Sequence, residues 1–269
     1  VSPQTAAPLD IEGVTVAFGA VKALDDVSFS VQSGHVHGVI GPNGAGKSSL
    51  FNVISGVYRP SAGEVRLDGM ALTKLRPHEV AGLGIGRSFQ NVDLAGEESV
   101  LESLLVGRHD LMRSGVTAVM LGLPRARREE REHKARVTEI ADFFGLADHL
   151  DRPLHELPYG QQKLVDVARA VCMEPRLLML DEPAAGLDEA ETDTISEIIL
   201  DLRSALDLTV LLIEHDMGMV MKICDHLTVL DFGRRISDGT PSAVQSDPAV
   251  ASAYLGTGEA AEIETGTAP

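Results

Sequence analysis

The stretch Val36-His37-Gly38-Val39-Ile40-Gly41-Pro42-Asn43-Gly44-Ala45-Gly46-Lys47-Ser48-Ser49-Leu50-Phe51 decides the fold. Val36 to Ile40 is a short, mostly apolar run bounded by turn residues, as expected of a buried strand. From Leu50 the apolar residues recur at Val53 and Ile54, a helical spacing. Between them, Gly41 to Ser48 spells GxxxxGK[ST] in the strand, loop and helix context that this motif requires. Glycines remove side chains that would hold a phosphate off the backbone. Consecutive N–H groups at a helix N-terminus then offer it about half a positive charge. Lys47 would bridge β- and γ-phosphates, and the Ser48 hydroxyl would reach Mg²⁺. Gly41, Pro42, Asn43, Gly44, Ala45, Gly46, Lys47, Ser48 and Ser49 form the candidate phosphate-binding segment.

Three further apolar runs, Leu177–Leu180, Thr209–Ile213 and Leu227–Leu230, read as buried strands. Between the first two, Ile195, Ile198, Ile199, Leu202 and Leu206 lay one apolar stripe along a helix, which makes a βαβ unit and an α/β protein with a mostly parallel core sheet. Val14–Phe18, Val27–Val31 and Glu64–Leu67, with the Asp68-Gly69 turn, predict a small antiparallel β-subdomain beside it. From Asn91 to Glu156 strand signals vanish, while helical patterns run through Val100–Leu111 and Arg125–Phe144. The expected organisation is a flexible arm over 1–8, a core over 9–90 and 157–256, an inserted helical subdomain over 91–156, and an acidic, disordered tail over 257–269.

Composition narrows the function. The 269 residues are 44% hydrophobic and 23% charged, enough to bury a core. A formal charge of -17 argues against nucleic acid as a partner, because a phosphate-backbone binder needs a basic surface. Cys172 and Cys224 lie far apart, without metal-ligand spacing. No apolar run approaches the roughly 18 to 20 residues of a membrane span; Val116–Leu123 is too short and is closed by Pro124. VSPQTAAP lacks the basic and apolar regions of a signal peptide, so residence in the cytoplasm is expected. His35 and His37 read as structural.

Two more strand ends carry chemistry. Leu177–Leu180 runs into Asp181-Glu182 at the edge where an open α/β sheet places ligand-binding residues. Asp181 fits an acid associated with Mg²⁺. Glu182, pointing elsewhere, can orient and deprotonate water, a role usually worth about 10²–10⁴-fold in rate. An apolar strand ending in two acids is ordinarily a plain terminus; its company with the phosphate loop changes that reading. Thr209–Ile213 ends in Glu214-His215-Asp216, so His215 emerges at the same edge and can donate to a γ-phosphate oxygen.

Together the Gly41–Ser48 loop, Asp181-Glu182, Ala185-Gly186-Leu187-Asp188 and His215 resemble the nucleotide-binding subunit of an ABC transporter, a P-loop NTPase with an ABC-type cassette. The resemblance implies ATP and Mg²⁺ as cofactors. It also implies a Q-loop glutamine at Gln90, in contact with Mg²⁺ and active in turnover, and an adenine-stacking aromatic at Phe18. Asp188 matches the D-loop. Leu157-Pro158-Tyr159-Gly160-Gln161 occupies the place of the family signature, with Tyr159, Gly160 and Gln161 as contacts to the ATP of a second cassette. Here Pro158 stands where the usual motif has serine, so a hydroxyl worth roughly 1.5–3 kcal/mol toward a charged group is missing. The Tyr-Gly-Gln-Gln form, Leu50–Gly56, Gly84–Asn91, Glu182–Gly186, Ile213–Met217 and Ala253–Gly256 resemble the branch serving branched-chain and hydrophobic amino acid import.

The implied activity is ATP hydrolysis that energises such an importer. The implied location is peripheral, on the inner face of the cell membrane. The implied partners are permease subunits, a homodimeric or heterodimeric second ATPase chain, and a periplasmic or extracellular substrate-binding protein. Two alternatives share the motifs: the ATPase subunit of a lipid or lipopolysaccharide exporter, and a soluble non-transport ABC ATPase. Nucleotide binding without turnover is a further reading that Pro158 keeps open. The basic run Arg125–Arg136 contains Glu130/Lys134 and Glu132/Arg136 at i,i+4, and reads as a solvated helix face.

Overall fold

The computed structural model describes residues 5–88, 98–112 and 123–255. Gln90, residues 116–122 of the apolar run and the 257–269 tail lie outside them. In chain order the strands are Leu9–Phe18 (β1), Val21–Val31 (β2), Val36–Ile40 (β3), Ala62–Leu67 (β4), Met70–Ala71 (β5), Ile85–Arg87 (β6), Leu177–Asp181 (β7), Thr209–Ile213 (β8), His226–Asp231 (β9) and Arg234–Gly239 (β10). The α-helices are Lys47–Ile54 (α1), Pro77–Ala81 (α2), Val100–Val106 (α3), Pro124–Phe143 (α4), Tyr159–Val171 (α5), Glu189–Leu206 (α6), Met217–Ile223 (α7), Pro241–Gln245 (α8) and Pro248–Leu255 (α9).

Among the described residues a six-stranded sheet has the order β10-β9-β3-β8-β7-β6, and a four-stranded antiparallel sheet has the order β2-β1-β4-β5. The larger sheet is parallel except at its β9–β10 edge. β3, β7 and β8 are buried at every position, which is why they read as continuous apolar runs rather than alternating ones. Three strands escaped the sequence reading, the two-residue β5 among them. β6 is Ile-Gly-Arg, too short and too glycine-rich to signal a strand, and β10 is a polar edge strand.

The side chains of β1, β2, β4 and α1 join Leu177, Met179, Leu211, Ile213 and Leu230 in one core. Phe51 and Leu50 of α1 are fully buried there. Replacing Phe51 with alanine would cost about 3–5 kcal/mol. Thr5–Pro8 is not the loose arm that its composition suggested. Ala7 is buried and accepts from Thr209 Oγ1 at 2.8 Å, Ala6 from Ser33 Oγ at 2.9 Å, and Thr5 from Arg176 Nε at 3.0 Å. Backbone carbonyls, to which composition is blind, tie this segment down.

The described residues group into two compact units, one up to Arg87 and from Arg176 onward, the other between Ser88 and Pro175. The second unit takes in α5, which the sequence reading assigned to the core. The reason is local packing: Val165, Val167, Ala168, Ala170 and Val171 are buried, and α5 packs on α3 and α4. Within this unit the expected Val100–Leu111 helix ends at Val106 and gives way, after Gly107, to a 3₁₀ turn at His109–Leu111. Ser99 and Glu102 close a capping box at its start. Arg108 is buried. Its Nε donates to His133 Nδ1 at 2.8 Å, and one guanidinium nitrogen donates to Cys172 O at 3.0 Å and Glu174 Oε1 at 3.2 Å. Burial, and then the Arg108 charge, hold His133 below its usual pKa.

Candidate functional site

Register places the strand ends together. Val39 of β3 pairs with Ile213 of β8, and Ile213 pairs with Asp181 of β7. Gly41, Glu214 and Glu182 therefore begin their loops at one level on one edge of the sheet. In a parallel sheet this edge is where ligands bind.

The Gly41–Gly46 loop has the backbone that its glycines permit. Gly41 has φ 145, and a Cβ there would lie 2.0 Å from Leu230 O; Gly46 has φ 104, and its Cβ would meet Ala23 O at 2.5 Å. These are the positions at which only glycine fits. Gly46 then caps α1. Lys47 is 8% exposed, and its ammonium donates to Gly41 O at 2.5 Å and Pro42 O at 3.0 Å, folding back across the loop it closes. Asn43, Gly44 and Ser48 are exposed, Ala45 is buried and Ser49 is half-buried.

Asp181 is buried at the end of β7, and its Oδ2 accepts from Arg87 at 3.3 Å. Burial pushes its pKa up, against the pull of the Arg87 guanidinium. Arg87 is a residue that the sequence reading did not single out. It also donates to Asn52 Oδ1 at 2.8 Å and Ser55 Oγ at 2.9 Å, and lies over the Phe51 ring, tying β6 to α1. Beside Asp181, half-buried Glu182 adopts φ 51, and its N–H donates to Ile213 O at 2.9 Å. A left-handed non-glycine residue is strained, and such strain clusters at functional sites.

His215 is exposed at the end of β8, while Glu214 before it is buried. Phe18 is 51% exposed at the end of β1 and meets Tyr58 edge-on at 5.2 Å, so it is not a core aromatic. Asp188 caps α6: its Oδ1 accepts from Glu191 N at 2.8 Å. In the second unit Pro158 is the N-cap of α5 and supplies no side-chain hydrogen bond. Tyr159 is exposed with Lys163 over its ring, Gly160 is buried and Gln161 is half-buried. Gln162 holds the entry through Nε2 to Leu157 O at 2.8 Å.

The donor set suits a magnesium ion. The Asp181 carboxylate and Ser48 hydroxyl are hard oxygen ligands. The upward push on Asp181 marks a buried carboxylate that a cation would favour.

A glycine loop running from a parallel strand into a helix, with acidic strand ends beside it, defines a P-loop nucleotide-binding cassette. Comparison with known proteins takes this further. A model described as ABC transporter matches residues 24–185, and one described as branched-chain amino acid ATP-binding cassette transporter matches residues 234–260. The chain belongs to the ABC transporter family, as an ATPase cassette. It is 42% identical over 248 residues to the high-affinity branched-chain amino acid transport ATP-binding protein BraF of Pseudomonas aeruginosa, covering 92% of this chain and 97% of that one. It is 38% identical to LivG of Escherichia coli, described in the same words, over the same shares. Among solved structures it is similar to the ADP conformation of an ATP-binding cassette of an ABC transporter, with TM-score 0.82 and 36% identity, covering 94% of this chain and 100% of that one. A nucleotide-free cassette gives TM-score 0.81 at 35% identity, with 92% and 98% covered. Among the described residues no helix is long and apolar enough to cross a membrane.

Proposed function

We propose that this chain hydrolyses ATP to energise a membrane importer of branched-chain or other hydrophobic amino acids. The observation that carries the catalytic half is the common level of three strand ends, which puts the Gly41 loop, Asp181-Glu182 and Glu214-His215 at one edge. The likeness to branched-chain amino acid transport ATP-binding proteins supports the choice of cargo.

The chemistry follows from the residues. Adenine stacks on the exposed Phe18 ring, while the backbone N–H groups of Gly44 to Ser48, at the start of α1, surround the phosphates. Lys47 exchanges its two loop carbonyls for β- and γ-phosphate oxygens. Ser48 and Asp181, with Gln90, would hold Mg²⁺, which when bound supplies charge neutralisation at the phosphates. Glu182 accepts a proton from the attacking water as its oxygen bonds to the γ-phosphorus and the bond to ADP breaks; that proton then leaves with inorganic phosphate. His215 donates to a γ-phosphate oxygen. Tyr159, Gly160 and Gln161 of one cassette meet the ATP bound by a second, and Asp188 lies between the two. The working unit is therefore a homodimer or heterodimer, seated on permease subunits at the inner membrane face and served by a substrate-binding protein outside.

The test is affinity capture of a tagged Glu182→Gln chain from detergent-solubilised membranes with ATP and Mg²⁺, the bound chains being identified by mass spectrometry. Permease chains and a cassette are expected, followed by loss of leucine uptake when the variant replaces the parent. Ribosomal proteins, or a lipid-exporter permease, would overturn the importer reading. Turnover by Glu182→Gln near the parental rate would overturn its role.

A further inference from the structure

Glu214 plays no part in the reading above, yet it is 1% exposed beside the site. Its two carboxylate oxygens accept backbone N–H groups from two different loops. Oε1 accepts from Ala184 at 2.7 Å, two residues beyond Glu182. Oε2 accepts from His215 at 2.9 Å and, at longer range, from Asp216 at 3.4 Å. The His215 ring nitrogen Nδ1 also lies 3.7 Å from Oε2. The same two strand ends are joined once more where Glu182 N–H donates to Ile213 O. The left-handed turn at Glu182 is thus gripped on both sides, by a carbonyl of β8 at Glu182 itself and by the Glu214 carboxylate at Ala184.

A buried carboxylate is an expensive way to satisfy backbone N–H groups, and burial pushes the Glu214 pKa up against the pull of those same hydrogen bonds. A neutral side chain of equal size cannot replace it, because an amide has one acceptor oxygen and these donors approach two.

We propose that Glu214 is a positioning residue for ATP hydrolysis, one carboxylate oxygen holding the loop of Glu182 and the other the backbone of His215, so that the water-activating group and the phosphate donor keep a fixed separation. This rests on the roles assigned above to Glu182 and His215. ATP binding, which the Gly41 loop and Phe18 carry, does not pass through the clamp.

The experiment is Glu214→Gln, which keeps size but turns one acceptor into a donor facing a backbone N–H. Three quantities are measured: ATP affinity by titration with a fluorescent nucleotide, steady-state kcat, and thermal unfolding by circular dichroism. Expected are a kcat lower by about 10- to 100-fold, the range for small misplacement of reacting groups, and an ATP Kd within about twofold of the parent at a temperature where both are folded. Combined with Glu182→Gln, the second substitution should slow turnover by less than it does in the parent, because one of the two groups it positions is already gone. Parental kcat in Glu214→Gln, or losses that add fully in the double variant, would overturn the proposal. Should the amide variant fail to fold, Glu214→Asp keeps both acceptors on a shorter stem: lowered kcat at unchanged Kd supports the clamp, and parental kcat overturns it. Failure of the underlying roles shows separately, as Glu182→Gln retaining parental turnover whatever Glu214 does.

Discussion

Replacing His37 tests how the core sheet responds to acid. His37 is buried on β3, stacked on Phe29 at 5.2 Å, with the His226 ring also at 5.2 Å. Thr228 Oγ1 donates to Asp238 Oδ1 at 2.9 Å, so in the 2.9 Å contact between His37 Nε2 and Thr228 Oγ1 it is Nε2 that donates. Burial, and then the His226 charge, bring its pKa down to about 3. The unfolded chain takes up this proton near pH 6.5 and the folded chain near pH 3, so stability is intact above about pH 6.5 and falls on acidification. The share due to His37 is about 2 kcal/mol at pH 5 and about 3 kcal/mol at pH 4, relative to neutral pH. His37→Gln keeps a donor for Thr228 but cannot titrate. Urea unfolding should be followed by far-ultraviolet circular dichroism, since the chain has no tryptophan. The variant is expected to start less stable and to lose about 2 kcal/mol less than the parent between pH 7.5 and 5. Parallel loss in both proteins would refute a neutral, buried His37.

Other outcomes follow from the site. Lys47→Ala removes charged hydrogen bonds worth about 1.5–3 kcal/mol each, so ATP affinity should fall by at least about 100-fold in a direct titration; affinity within threefold would remove the phosphate-loop role. Phe18→Ala should weaken ATP binding by about 5- to 100-fold, from a stack worth about 1–3 kcal/mol, with little change in melting temperature because the ring is half exposed; unchanged affinity would end the adenine-platform reading. Pro158→Ser should raise the melting temperature, because serine caps α5 where proline has no side-chain bond. It should change turnover by less than about tenfold, as the Gly160 and Gln161 amides persist. A larger gain in ATPase rate would mean that the absent hydroxyl limits the enzyme.

Much of this protein was legible because its decisive features are local. A phosphate loop is a strand, a run of glycines and a helix start in sixteen consecutive residues, and the dihedrals that Gly41 and Gly46 adopt are ones only their residue type tolerates. Continuous apolar runs announced β3, β7 and β8 because both faces of a parallel core sheet are covered. The α/β class, the antiparallel subdomain and the ABC family all followed from such runs and motifs. What failed had no local signal. β6 is three residues around a glycine, and Thr5–Pro8 looks like a tail until the donors that hold its carbonyls are known.

By itself the chain's order of residues determined which chemistry is present: a phosphate cradle, two acidic strand ends and a histidine, each written within a few positions. Tertiary structure alone decided how these are brought together and held. The pairing of Val39 with Ile213 and Ile213 with Asp181 is a register between segments more than thirty residues apart, and no spacing in the sequence specifies it. Arg87 on Asp181 and Glu214 on Ala184 are contacts of the same kind. Arginine and glutamate are ordinarily surface residues, and here Arg87 is half-buried and Glu214 buried only because distant backbone and carboxylate partners meet them when the sheet closes.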